Sequence, residues 1–223
     1  QVEHPVTECI TGVDLVELMI RVAAGEKLPL TQDEVKRDGW AIECRINAED
    51  PFRNFLPSTG RLVRFAPPQG TIFAADTEHL QGVRVDTGVQ DGGEIPMYYD
   101  SMIAKLIVHG KDRNDAIAKM RAALNGFVIR GISSNIPFQA ALLAHPKFVT
   151  GDFNTGFIAE NYGKGFHSED VPHSDPLFLV ALAAFMNRRY RARASGISGQ
   201  LAGHEVKVGE QFVVVTLGAE GQN

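Results

Sequence analysis

Three polar clusters hold the residues of this chain best equipped to do chemistry. The first, Gln1-Val2-Glu3-His4-Pro5-Val6-Thr7-Glu8, sets an amide, a carboxylate and an imidazole side by side. The second, Glu43-Cys44-Arg45-Ile46-Asn47-Ala48-Glu49-Asp50-Pro51, and the third, Tyr98-Tyr99-Asp100-Ser101-Met102-Ile103-Ala104-Lys105, place unlike charges beside apolar positions that read as buried strand. A carboxylate can act as a general base if it is held within hydrogen-bond reach of a proton. A permanently protonated guanidinium suits the stabilisation of a developing oxyanion. Side chains alternate along a strand, so Glu43 and Arg45 share a face and Glu43 can orient the guanidinium. Asp100 is a second candidate for that supporting role.

These residues need elements to position them. Thr11 with Asp14 three residues on resembles a helix N-cap, followed by Leu15, Leu18, Met19, Val22 and Ala23 at helical spacing and a stop at Gly25. This pattern predicts an amphipathic helix with one buried face. From Trp40 short β-like runs follow, Ala41 to Ile46, Gly60 to Phe65, Gly82 to Val85 and Met102 to Val108, separated by Pro- and Gly-containing turns. Helices then return: one capped by Asp112 and ending toward Gly126, one after Asn135 that stops before Pro146, and a short one from Thr155 to about Tyr162. Short strands joined by turns, then segregated helices, predict an α+β fold built on an antiparallel sheet with flanking helices. Residues 164–172 are polar, contain glycine and read as an interdomain linker. Beyond them, Leu177 to Met186 is apolar on nearly every side of a helix and must be surrounded by protein unless it meets a partner or a membrane. The runs Glu205 to Val208 and Gln211 to Leu217 read as strands around a Gly209-Glu210 turn.

Composition bounds the function classes. The chain has 223 residues, 44% hydrophobic and 22% charged, which is ordinary for a soluble globular protein. A net charge of -5 and a pI near 5.8 offer no broad attraction to nucleic acid or anionic lipid. The apolar run of Leu177 to Met186 is about half the roughly 20 residues that cross a bilayer. Cys9 and Cys44 match no metal spacing and no disulfide framework, so reduced thiols are expected.

In order and length, the three polar clusters resemble the biotin carboxylase family of ATP-grasp enzymes. The resemblance implies that Glu3 is the general base toward bicarbonate, that Gln1 and Val2 hold bicarbonate and biotin, and that Arg45 stabilises the biotin enolate. It implies MgATP and bicarbonate as substrates, and biotin on a carrier domain that is not in this chain. The family's glycine-rich loop, its lysine and its metal-binding glutamate and asparagine would all precede Gln1. No metal ligand is therefore expected here, and the chain alone is expected not to make carboxyphosphate.

The stretches Gly82-Val83-Arg84-Val85-Asp86-Thr87-Gly88-Val89, Val128-Ile129-Arg130-Gly131-Ile132 and Phe157-Ile158-Ala159-Glu160-Asn161-Tyr162, with the apolar helix beyond, are similar to the α subunits of propionyl-CoA carboxylases. That likeness implies four regions: the tail of an ATP-grasp domain (1–35), a biotin carboxylase C-terminal domain (36–163), a linker (164–172), and the start of a helix-plus-antiparallel-barrel domain docking on the carboxyltransferase β subunit (173–223). Methylcrotonyl-CoA or broad acyl-CoA carboxylases are the related alternative, and an inactive assembly module the alternative of another class. The expected compartment is the bacterial cytoplasm, with the mitochondrial matrix as the other option. For Arg45 the competing role is a structural ion pair with Glu43, Glu49 or Asp50. His4 reads as a local hydrogen-bonding residue, Tyr98 and Tyr99 as core or strand residues, and the basic run from Arg188 to Arg193 as a solvated helix end.

Overall fold

Pro5 in the first turn and a left-handed Gly12 (φ 70°) delimit a helix that the hydrophobic pattern did not announce. The computed structural model of the chain describes residues 2–68, 71–73, 82–172 and 176–201. Along them run α1 (His4–Thr11), α2 (Leu15–Ala23), β1 (Trp40–Asn47), β2 (Glu49–Asp50), β3 (Leu56–Pro57), β4 (Gly60–Arg61), β5 (Arg64–Ala66), β6 (Thr71–Phe73), β7 (Val83–Thr87), β8 (Glu94–Ile95) and β9 (Met102–Gly110), then α3 (Arg113–Gly126), β10 (Val128–Arg130), α4 (Ile136–Ala144), α5 (Pro146–Thr150), α6 (Phe157–Tyr162) and α7 (Pro176–Ser195). The chain divides into two compact units, Gln1–Pro172 and His173–Asn223.

The first unit is built on a four-stranded sheet of order β1-β9-β7-β6. β9 pairs antiparallel with β1 and with β7, as the short strands and turns predicted. β6 and β7 run parallel, so the sheet is mixed at that edge. Three two-stranded ribbons, β5 with β10, β2 with β3 and β4 with β8, extend the fold.

The two faces of the sheet differ in kind. On one, Cys44 and Ile46 of β1, Leu106 and Val108 of β9 and Val85 of β7 pack with Ala116, Met120, Ala123 and Leu124 of α3 as the main core. On the other, the pairing places Glu43, Ile107 and Arg84 in one cross-strand row and Arg45, Lys105 and Asp86 in the next. α1 contacts β1 and β9, and its Glu8 reaches the Arg84 of this row. Strand alternation alone produces this division, because residues directly opposite one another point the same way.

Asp112 caps α3 by accepting the Asp115 amide, and Pro137 sits in the first turn of α4, both as the sequence signals indicate. Asp14, not Thr11, caps α2: it accepts the Glu17 amide at 2.8 Å, while the Thr11 hydroxyl donates back to the Thr7 carbonyl within α1. No residue of α2 is buried, so the expected buried face is not formed among the described residues. Its apolar side chains instead line an open groove of about 670 Å³ with Thr7, Thr11 and Leu28. The helical period is present, but no described element packs over it.

Residues 164–172, read as an interdomain linker, are fastened to the first unit, which ends at Pro172. Phe166 is buried against Phe138, ring centroids 5.4 Å apart and nearly perpendicular, and a short 3₁₀ turn spans Ser168–Asp170. An aromatic ring among the polar residues is enough to fasten the segment. In the second unit α7 exposes Leu177, Phe178, Phe185 and Met186. The strands expected over 205–217 lie outside the described residues.

Candidate active site

Glu3 occupies the N-cap position of α1 in extended backbone conformation, and its side chain makes no capping hydrogen bond. Arg45 stands near the end of β1, where the pairing with β9 shifts register between Ile46 and Asn47. Although 42 residues separate them, Arg45 Nη2 donates to Glu3 Oε1 at 2.8 Å. The Arg45 side chain is half exposed, and this is its one hydrogen bond among the described residues, so further donors face solvent.

Two more charges complete the cluster. Lys105 Nζ lies 3.4 Å from Glu3 Oε2 and 3.5 Å from Glu43 Oε1. Glu43 is also 3.9 Å from Arg45 Nε, too long for a hydrogen bond but close enough for an ion pair. The Glu43 side chain is 3% exposed, and neither of its oxygens has a hydrogen-bond partner among the described residues. Burial therefore pushes the Glu43 carboxyl above its ordinary value; the neighbouring Glu3 adds to the rise and Lys105 only partly offsets it. For Glu3, desolvation works against the charged form, but Arg45 and Lys105 outweigh it and hold the carboxyl below the usual range. Two adjacent carboxylates are thus driven in opposite directions, the accessible one ionised and the buried one resisting ionisation.

The backbone under Arg45 is fixed from the side. Asn135 Nδ2 donates to the Arg45 carbonyl at 3.0 Å, and Asn135 Oδ1 accepts the Asn47 amide at 2.9 Å. The same asparagine precedes α4, so its side chain is spent on the irregular end of β1 instead of capping its own helix. From the opposite side α1 is fastened by a buried network. Arg84 donates to Glu8 at 2.7 Å and grips Asp86 through Nε and Nη2, both at 2.8 Å. The second Glu8 oxygen accepts the Leu15 amide, which also fixes the turn between α1 and α2.

Of the residues singled out in the sequence, Glu3, Glu43 and Arg45 converge. Asp100 does not join them: it is exposed and accepts the Met102 amide at 3.0 Å, shaping the entry to β9. Glu49 and Asp50 are likewise spent locally, on Ser101 and Asn47 and on the Phe52 amide. Val2 is exposed, and Gln1 lies outside the described residues. Tyr98 and Tyr99 are exposed and not core residues. Sequence reasoning gave no role to Lys105, Arg84 or Glu8. The available signal was the strand alternation that sets Arg84 and Asp86 on one face; the place of Lys105 opposite Arg45 comes from the pairing of β1 with β9. Cys9 and Cys44 are free and buried; burial pushes their thiols up to about 11 and about 12. Among the described residues no group of three or more His, Cys, Asp or Glu could hold a metal ion, and no helix is long and apolar enough to cross a membrane.

An α+β unit in which a carboxylate at the start of α1 meets a guanidinium on β1 leads to the class: the chain belongs to the biotin carboxylase family, whose C-terminal domain matches residues 43–160. Residues 1–31 match the carbamoyl-phosphate synthase L chain ATP-binding domain, and residues 179–223 the propionyl-coenzyme A carboxylase BT domain. Among curated relatives, the chain is 51% identical over 232 residues to the propionyl-CoA carboxylase alpha chain of Ruegeria pomeroyi, covering 99% of this chain and 34% of that one. It is 45% identical over 195 residues to the mitochondrial propionyl-CoA carboxylase alpha chain of Homo sapiens, covering 87% and 26%. The chain thus spans about a third or less of the length of these relatives. Among solved structures, the biotin carboxylase domain dimer of Hydrogenobacter thermophilus 2-oxoglutarate carboxylase, in complex with MgADP, ADP and bicarbonate, matches with a TM-score of 0.66 and 40% identity over 78% of this chain and 35% of that one.

Proposed function

We propose that this chain supplies the C-terminal part of the biotin carboxylase centre of a propionyl-CoA carboxylase-like α subunit, in which carrier-bound biotin is carboxylated with ATP and bicarbonate. The observation that carries the reading is the 2.8 Å contact between Glu3 and Arg45, an accessible carboxylate and a half-exposed guanidinium brought together across 42 positions of the sequence. Such a pair fits bicarbonate and the ureido group of biotin, which present a proton to remove and an oxygen that becomes negative.

In this reading Glu3 takes the proton of bicarbonate: the bicarbonate O–H bond breaks and a carboxyl O–H forms on Glu3. Its depressed pKa keeps it ionised and able to accept at neutral pH. Arg45 then offers its solvent-facing donors to the ureido oxygen as negative charge develops there. Gln1 and Val2 would hold the substrates beside Glu3. Glu43 orients Arg45 from behind, and Asp100 supports the strand that carries Lys105. Biotin itself would arrive on a carrier domain outside this chain, and the carboxyl group would pass to an acyl-CoA on a carboxyltransferase β subunit. The match of residues 179–223 to the BT domain supports the propionyl-CoA reading over the methylcrotonyl-CoA one, and supports regions that divide near residue 172. Bacterial cytoplasm is the compartment proposed, with the mitochondrial matrix open to a relative of the human type.

The test is carboxylation of free biotin by the full parent chain, wild type against Arg45→Ala, with bicarbonate-dependent ATP cleavage followed in the same tubes. Loss of an oxyanion donor typically costs about 10²–10³ in rate. Biotin carboxylation is expected to fall by that much while ATP cleavage survives; two unchanged rates would make Arg45 structural and overturn the reading.

A further inference from the structure

The mechanism above leaves Lys105 without a task, yet the structure commits it fully. β1 and β9 set Arg45 and Lys105 directly opposite one another, and like charges in that arrangement repel. The pair persists because each cation takes a different oxygen of Glu3: Arg45 the Oε1 at 2.8 Å, Lys105 the Oε2 at 3.4 Å. Lys105 is the less exposed of the two, at 19% against 50% for the Arg45 side chain, and is backed by the buried Glu43.

The other charges on this face have partners of their own. From β7, Asp86 stands opposite Lys105 in the strand register, but both its oxygens accept from Arg84. From α1, Glu8 is taken by Arg84 and by the Leu15 amide, and Cys9 holds its proton well above neutrality because of burial. From the start of α4, Asn135 and Gln139 present uncharged amides to the Arg45 carbonyl. Among the described residues, Glu3 and Glu43 are therefore the ion-pair partners of Lys105.

This asymmetry has a use. An arginine that must meet a substrate oxygen has to loosen its hold on Glu3, and a carboxylate released at one oxygen would swing free unless the other were held. We propose that Lys105 is a positioning residue of the biotin carboxylase centre, holding Glu3 in place and ionised through Oε2 while Arg45 exchanges Oε1 for substrate. Glu43 anchors the ammonium group from the buried side. The inference rests on the function proposed above.

The test is the pH dependence of kcat/KM for bicarbonate-dependent ATP cleavage by the full parent chain. Removing the cation leaves Glu3 protonated to a higher pH, so Lys105→Met is expected to move the acid limb upward. Lys105→Gln, which keeps a donor without charge and provides a folded alternative, is expected to shift it equally, and Lys105→Arg to restore it. An acid limb at the wild-type position in Lys105→Met or Lys105→Gln, whatever the loss in kcat, would overturn the role by showing a merely structural lysine. Absence of bicarbonate-dependent ATP cleavage in the wild-type parent chain would overturn the proposed function, and this role with it.

Discussion

Glu43 has an uncomfortable position: among the described residues neither of its buried carboxylate oxygens has a hydrogen bond, and a second carboxylate competes for the same lysine. Its folded-state pKa lies above the unfolded value of roughly 4.3. A group shifted upward binds its proton more tightly in the folded state, so its contribution is complete below the unfolded pKa and is lost as pH rises through the folded one. Glu43→Gln keeps the shape and cannot suffer that loss. Urea unfolding at pH 4 and pH 8 is therefore expected to show the variant gaining on the wild type toward the higher pH. A stability difference that stays constant between the two would mean that Glu43 does not resist ionisation. The candidate roles of Glu3 and Arg45 came from the resemblance of contiguous motifs to a known family, and strand alternation added that Glu43 shares a face with Arg45. Lys105 was not legible, because its meaning depends on facing Arg45 across β1 and β9, and one strand's sequence does not name its partner.

At the scale of elements, α1 depends on one buried arginine. The Arg84 side chain is 9% exposed and satisfies Glu8 of the helix and Asp86 of its own strand together. Arg84→Leu would take the cation from two carboxylates, one of them buried, and breaking a buried ion pair from one side costs about 3–5 kcal/mol. Urea unfolding of the chain is expected to show a loss of that size; a cost under about 1 kcal/mol would mean that α1 is held by its apolar contacts alone. The helix escaped the periodicity argument because its few apolar residues are diluted by His4, Thr7 and Glu8, yet Glu8 is what ties it down. Its Pro and Gly end signals were the readable trace. α2 is the opposite case. Its apolar period was plain, its capping residue was misplaced by one turn, and the face it advertises lies open. Periodicity reports what a helix is built to bury, and does not report whether a partner element lies in the same chain.

For the molecule as a whole, the same logic governs α7. It leaves Leu177 74% and Phe185 51% exposed, and a run of exposed apolar side chains of this kind marks an association surface. Sedimentation velocity of the 223-residue chain is expected to show concentration-dependent association, weakened by the double substitution Leu182→Lys and Phe185→Lys. Monomeric behaviour of the wild type throughout the concentration range would show that this face does not drive assembly. The segment at 164–172 again separates composition from packing: a polar, glycine-containing stretch reads as a linker, but Phe166 buries itself beside Phe138 and brings the stretch into the first unit.

By itself, the sequence determined the α+β class, the strands β1 and β9, the helices α3 and α4, and the residue types from which a base and an oxyanion donor could be drawn. Each of these rests on local information: alternation, caps, turn residues and contiguous motifs. Tertiary structure alone decided that Glu3 meets Arg45 and that Lys105 closes the other side of the carboxylate. It also decided that Asn135 serves β1 and that Asp100 stands apart. These outcomes depend on strand register and helix docking, which join residues 42 to 102 positions apart and are settled only when the chain has chosen which strands to pair.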